Sequence, residues 1–253
     1  MNNLIRHPYF IFAFSFLAMW LSSWIGFRLS KKQVAIPDDE RQDLDLIVAA
    51  TLTLLGLIIG FSFSMATNRY DLRKNYEEAE ANAIGTEYAR ADYLPAGDAS
   101  RVRALLKEYL EKRIEFYRAR DYNLLNQINA STVQLQNDLW VALQPAAKAQ
   151  QNPILALVVS GMNDVLNSQG YSQAAWWNRI PIGAWGLMML VAICSNFLVG
   201  YGARRIGQGE LWRLILPLVL AVSFFLIADI DNPRKGAIRV SPQNLISLAQ
   251  SLH

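Results

Sequence analysis

Histidine and cysteine are nearly missing from this chain of 253 residues. His7 and His253 stand at its ends, and Cys194 is its single cysteine. One cysteine forms no intrachain disulfide and carries no information about compartment. Without an interior histidine, many acid–base schemes fall away. The chain has no nucleophile elbow, no phosphate-binding glycine loop, no paired cysteine ligands and no His-x-x-x-His. An enzyme is therefore not expected, and neither a cofactor nor a bound metal is called for. Charge is scarce as well: 18% of residues are charged, with a net charge of +3. No basic stripe stands apart from acidic neighbours, so nucleic acid is not an expected partner.

What the chain does have is apolar sequence in concentrated runs. It is 53% hydrophobic, with a mean hydropathy of +0.14. A bilayer core takes about 20 apolar residues as helix. Four runs qualify: residues 9–27, 46–66, 180–201 and 214–228. The fourth is short unless Trp212, Arg213 and Asp229 are counted with it. Tyr9, Trp20, Trp24, Trp176, Trp177, Tyr201 and Trp212 lie near the run ends, where interfacial aromatics belong. The first run is too long for a signal-peptide core. Leu21-Ser22-Ser23-Trp24 is no small-x-small cleavage site, so the run reads as a retained membrane helix.

Four spans put both termini and the long segment 67–179 on one side, with short loops at 28–43 and 202–211 on the other. The short loops hold Arg28, Lys31, Lys32, Arg41, Arg204 and Arg205. The opposite side holds Arg6, Arg69, Arg73, Lys74, Arg179, Arg234, Lys235 and Arg239. The count leans slightly toward cytoplasmic termini. The predicted fold is an all-α polytopic membrane protein. It has a first helix pair over 1–66, a helical soluble domain over 67–179, a second helix pair over 180–230 and a tail over 231–253.

One helix begins near Leu44 and meets no strong breaker until Pro95, so its apolar half runs straight into a charged half. Asp98 is positioned to cap a second helix with the stripe Val102, Leu106, Tyr109, Leu110, Ile114 and Tyr117. A third helix carries Leu125, Ile128, Leu135, Leu139 and Ala142, and Pro145 is expected to end it. A fourth starts near Pro153 with Leu155, Val158, Val159, Met162, Val165 and Leu166. Together with the rod these predict an antiparallel four-helix bundle. Near the end, Ile238-Arg239-Val240 reads as extended. Ser241 and Pro242 then read as N-cap and first residue of a short helix.

The rod's membrane half carries Ala49, Thr53, Gly56, Gly60, Ser64 and Thr67 at three- and four-residue spacings, on one face. Such a face either packs closely against another helix or lines a wet path. On the second reading Thr53, Ser62, Ser64 and Thr67 offer oxygens to an ion, and Leu54, Ile58, Phe61 and Phe63 form an apolar constriction. Arg69 and Arg73, one turn apart, would form charge rings in a symmetric oligomer, or simply mark the water boundary. Glu77 and Glu80 share a face, but no Glu-x-x-His joins them. A solvated face or pairing with Arg101, Arg103 or Lys107 is expected rather than a metal. Asp229 either ends a short span or is a functional carboxylate at the membrane edge, with Arg234 and Arg239 as candidate partners.

Two stretches carry a resemblance. Phe61-Ser62-Phe63-Ser64, Arg69-Tyr70, Glu80-Ala81-Asn82-Ala83-Ile84-Gly85-Thr86 and Tyr93-Leu94-Pro95 form the first. The run from Asp229 to Ser241 forms the second. The chain thereby resembles the bestrophin-like family of bacterial membrane proteins, named for a distant similarity to bestrophin ion channels. The resemblance implies four spans, cytoplasmic termini, a bacterial inner-membrane location and a homo-oligomer, a pentamer by analogy. It also implies a central pore lined by the second span, with lipids and small inorganic ions as the other partners. The acidic calcium clasp of animal bestrophins has no counterpart, because Asp38-Asp39-Glu40 is short and on the wrong side. The rival reading is a non-conducting oligomeric scaffold or sensor acting through the soluble domain. A transporter would show an inverted repeat or broken helix pair, and none is legible.

Overall fold

The computed structural model describes residues 7–32, 38–149, 152–203 and 212–252. Arg6, Arg204, Arg205 and His253 lie outside the described residues, as do the side chains of Lys32, Asp38, Asp39 and Trp212. The described elements are α1 (Pro8–Lys32), α2 (Asp38–Arg90), a 3-10 turn (Ala91–Tyr93), α3 (Ala96–Arg118), α4 (Tyr122–Ala149), α5 (Pro153–Trp177), α6 (Ile182–Gly202), α7 (Trp212–Asp231) and α8 (Gln243–Ser251). No strand occurs among the described residues; 238 lies in a bend and 239–240 belong to no regular element.

The chain divides into two compact units, Met1–Asn68 with Arg179–Ile238 and Arg69–Asn178 with Arg239–His253. In the first unit α1 packs against α6 and α7, and α6 packs against α7. Among the described residues four helical stretches are long and apolar enough to cross a membrane. The cationic ends of α1 fold back over its aromatics: Arg28 lies 3.8 Å from the centre of Trp24, and Lys31 lies 4.5 Å from that of Phe27. This is the arrangement expected where a helix leaves the apolar layer.

The tightest packing in this unit is the α1–α6 crossing. Ser22 Oγ donates to the Ile193 carbonyl at 2.7 Å. A Cβ at Gly26 would lie 2.2 Å from the Phe197 carbonyl oxygen, and one at Gly200 would lie 2.0 Å from that of Ser23. Only glycine lets these backbones approach so closely.

In the second unit α3 packs against α4 and α8, and α4 against α5. Val102, Leu106, Phe116, Leu139, Val158 and Met162 lie fully buried in one core, which Ala81 and Ile84 of α2 join. Trp176, Phe116 and Tyr117 close one end in edge-on contacts, with ring centres 5.4 to 5.6 Å apart. Asn152 caps α5: its side chain accepts from the Leu155 N–H at 2.8 Å, with Pro153 at the first helical position. This is the cap-then-proline order.

Several helix limits differ from expectation. α2 starts at Asp38, six residues before Leu44. Acidic Glu40 sits in its first turn, where the helix dipole favours negative charge. Pro145 does not end α4, which runs on to Ala149. Ala142, Leu143 and Ala146 are buried there, and that burial offsets the lost amide donor. The carbonyl freed four residues back belongs to exposed Val141, where water can reach it. Asp98 lies inside the first turn of α3, which starts at Ala96 behind Pro95 with no side-chain cap. α8 starts at Gln243 behind Pro242, again without a cap of its own.

Candidate functional site

The second span is the least covered part of the membrane unit. Of its most apolar stretch 11% is buried within the chain, against 50% for the fourth span. Its inward face is Leu55, Ser62 and Ala66, spaced by seven and four residues along one side of the helix. Ser62 is therefore turned into its own unit, away from the face that was expected to hold it. The opposite face carries Ala49, Thr53, Gly56, Gly60 and Ser64, all exposed, with Thr67 half-buried below them. A Cβ at Gly56 or Gly60 would meet nothing within 4 Å. Gly56 and Gly60 thus have no packing partner within the described residues. Thr53 Oγ1 donates to the Ala49 carbonyl at 2.8 Å and Thr67 Oγ1 to the Phe63 carbonyl at 3.0 Å. Their protons are committed to the helix, and the oxygens face outward as acceptors. Phe61 and Phe63 flank this face, 68% and 44% exposed.

The carboxylates at the end of α7 are structural anchors within the same unit. Asp229 is buried; its Oδ1 accepts from the Ala237 N–H and its Oδ2 from the Ile238 N–H, each at 2.8 Å. Both bonds run to backbone, not to the arginines proposed from sequence. Gly236 completes this turn, since a Cβ there would lie 2.2 Å from the Asp229 carbonyl oxygen. Asp231 accepts from the Ile180 N–H with both oxygens at 3.1 Å. It holds the segment leading into α6.

In the soluble unit Arg69 is half-buried. Arg73 is buried to 1% exposure, so it presents no ring of charge to solvent. Its Nε donates to the Ala175 carbonyl at 3.1 Å and its Nη2 to the Asn178 carbonyl at 3.3 Å. A cation here meets the negative end of α5 and fills two of its orphan acceptors.

The acidic cluster also has other partners than expected. Glu77 Oε1 accepts from the Leu245 N–H at 3.0 Å, and Oε2 from the Asn244 side chain at 2.6 Å. A residue of α2 thus supplies the cap that α8 lacks. Glu80 pairs with Arg113, both fully buried. Arg113 Nη2 reaches Ser172 Oγ at 3.3 Å, and Tyr117 lies 3.2 Å from Glu80 Oε2 and 2.8 Å from Ser172 Oγ. Burial alone would lower Arg113, but the Glu80 carboxylate beside it holds its pKa above the usual value. Burial and the same carboxylate push Tyr109 and Tyr117 upward. Arg103 instead pairs with Asp92 near the surface. Among the described residues no three His, Cys, Asp or Glu side chains gather as a metal site would need.

Arg113 is absent from the stripe expected for α3. It shares the face of Leu106, Tyr109, Leu110 and Phe116, and a charge on an apolar face is the signal that an ion partner lies opposite.

A Bestrophin-like domain model matches residues 12–245. The chain belongs to the bestrophin-like family. Crystal structures of a bacterial bestrophin homologue from Klebsiella pneumoniae have the same fold. One single-site variant superposes with a TM-score of 0.65 at 14% identity, over 95% of this chain and 97% of that one. Another reaches 0.68 at 10% identity over 96% of each. A further membrane-protein crystal structure gives 0.68 at 13% identity, over 95% and 96%. At such identities the likeness is one of fold. No curated protein matches the chain. The bestrophin-like chain is thus a helical membrane protein of that architecture.

Proposed function

We propose that this chain is the subunit of a homo-oligomeric ion channel in a bacterial inner membrane, pentameric by analogy with bestrophins. In this reading its termini and residues 67–179 are cytoplasmic. The observation that carries it is the uncovered small-residue face of the second span. An apolar helix with Gly56 and Gly60 open to within 4 Å has a face available to an axis shared between copies. Thr53 and Ser64 would supply oxygens along it, and Phe61 and Phe63 an apolar constriction that closes by dewetting. Thr67 and Arg69 would lie nearest its aqueous end. Ser62, Arg73 and Asp229 take no part in the lining, since each is buried in its own unit; Arg73 and Asp229 instead hold backbone through their hydrogen bonds.

The test is ion flux through liposomes containing the full chain, with ion substitution and a subunit count by native mass spectrometry. Flux that falls when Gly60→Trp blocks the axis supports the reading. Sealed assemblies of defined size with no flux would instead favour the non-conducting scaffold.

A further inference from the structure

Glu87 lies near the end of α2 in the soluble unit. Its side chain is 0% exposed, and neither carboxylate oxygen has a hydrogen-bond partner. The other buried carboxylates are all engaged. Glu77 caps α8, Glu80 pairs with Arg113, and Asp229 and Asp231 accept backbone N–H groups. Among the described residues two charged groups act on Glu87. Arg90, one turn on along α2, donates through Nη1 to the Leu157 carbonyl at 3.1 Å. Asp164 faces it from α5. The 3-10 turn that packs on α5 holds Asp92, which is engaged with Arg103 of α3.

Opposite Glu87 stands Gly161 of α5. A Cβ there would lie 2.1 Å from Glu87 Oε2 and 2.3 Å from Arg90 Nη1. The carboxyl thus occupies a notch where α5 carries no side chain, beside Val158, Met162 and Val165, which are fully buried. A neutral carboxyl is tolerated in such a notch far better than an ionised one left without hydrogen bonds.

We propose that Glu87 is a proton-operated latch on the packing of α5 against the end of α2. Neutral, the carboxyl rests in the Gly161 notch; ionised, it draws water in and opens the notch.

Burial is the largest cause and raises the Glu87 carboxyl, Arg90 lowers it and Asp164 raises it, and together they bring it to about 7. The packed state therefore holds the proton more tightly than the opened state, where the carboxyl has its ordinary value of 4.5. The latch is fully closed below that ordinary value and loses its hold as pH rises through about 7.

The test uses the full-length protein in nanodiscs between pH 5 and pH 8.5. Hydrogen exchange over residues 153–166, corrected for intrinsic rates, reads local opening. In the wild type the opening equilibrium is expected to rise on the order of 100-fold across this range. Glu87→Gln should hold the low-pH level throughout. Asp164→Asn removes the neighbouring negative charge and should move the transition to lower pH. If Glu87→Gln fails to fold, the shift with Asp164→Asn decides alone. A flat wild-type profile overturns the proposal, as does a transition that Glu87→Gln preserves or Asp164→Asn leaves in place. Flux plays no part in the readout, so the latch stands or falls separately from conduction.

Discussion

Glycines on three helices of the membrane unit have opposite surroundings. On α1 and α6, Gly26 and Gly200 are pressed against carbonyl oxygens of the facing helix. On α2, Gly56 and Gly60 face open space. Glycine thus marks a surface on which backbones can approach without saying what approaches. Charges in the soluble unit differ in the same way. Arg113 and Arg103 lie on one helix, yet Arg113 is buried against Glu80 and Arg103 sits near the surface with Asp92.

The largest effect that would test this contrast is on the charges. Arg113→Met leaves Glu80 buried without its cation and should destabilise the chain by about 3–5 kcal/mol. Arg103→Met should cost about 0–1 kcal/mol, because an exposed pair is screened by water. Thermal unfolding of the two purified variants compares them; equal losses would break the distinction.

Next come the glycines. Gly200→Ala drives a methyl into the Ser23 carbonyl and should cost about 1–3 kcal/mol. Gly60→Ala meets no atom of its own subunit and should raise subunit stability by about 0.5–1 kcal/mol through helix propensity. Any harm from Gly60→Ala should appear in oligomer yield or flux. A matching loss of subunit stability would mean that the α2 face is packed after all.

Arg73→Met should cost about 1–2 kcal/mol by removing the partner of the α5 carbonyls. Ion selectivity in flux assays should stay unchanged. A selectivity shift at unchanged stability would return Arg73 to the charge rings. The smallest expected change is Ser64→Ala, within about 0.5 kcal/mol in stability because the side chain is exposed. Its effect, if Ser64 lines a path, should appear in flux alone.

The helical class and the spans were legible because long apolar runs and 3.6-residue stripes are local properties of the chain. The stripes of α3, α4 and α5 named much of the core those helices share, including Val102, Leu106, Leu139, Val158 and Met162, but not Phe116, Leu143 or Trp176. The resemblance was legible because its motifs are contiguous. Partner choice was not. Glu77 and Glu80 read as one acidic patch, yet one caps α8 and the other pairs with α3. Glu77 and Leu245 are 168 residues apart, and no local pattern joins them. Gly26 and Gly200 were legible only as small residues, since the crossing that selects them involves two distant helices.

By itself the sequence determined which segments are helical and apolar enough to span a membrane, and which faces of the soluble helices are buried. Both follow from hydrophobicity and helical period, summed over neighbouring residues. Only the tertiary structure decided which small-residue face is packed and which is open. It also decided which charges are buried anchors and which carboxylate is left without a partner. Those outcomes depend on distances of a few ångströms between residues far apart in the chain. A side chain's cost or use is set by the group that arrives opposite it, and that group is known only once the helices are assembled.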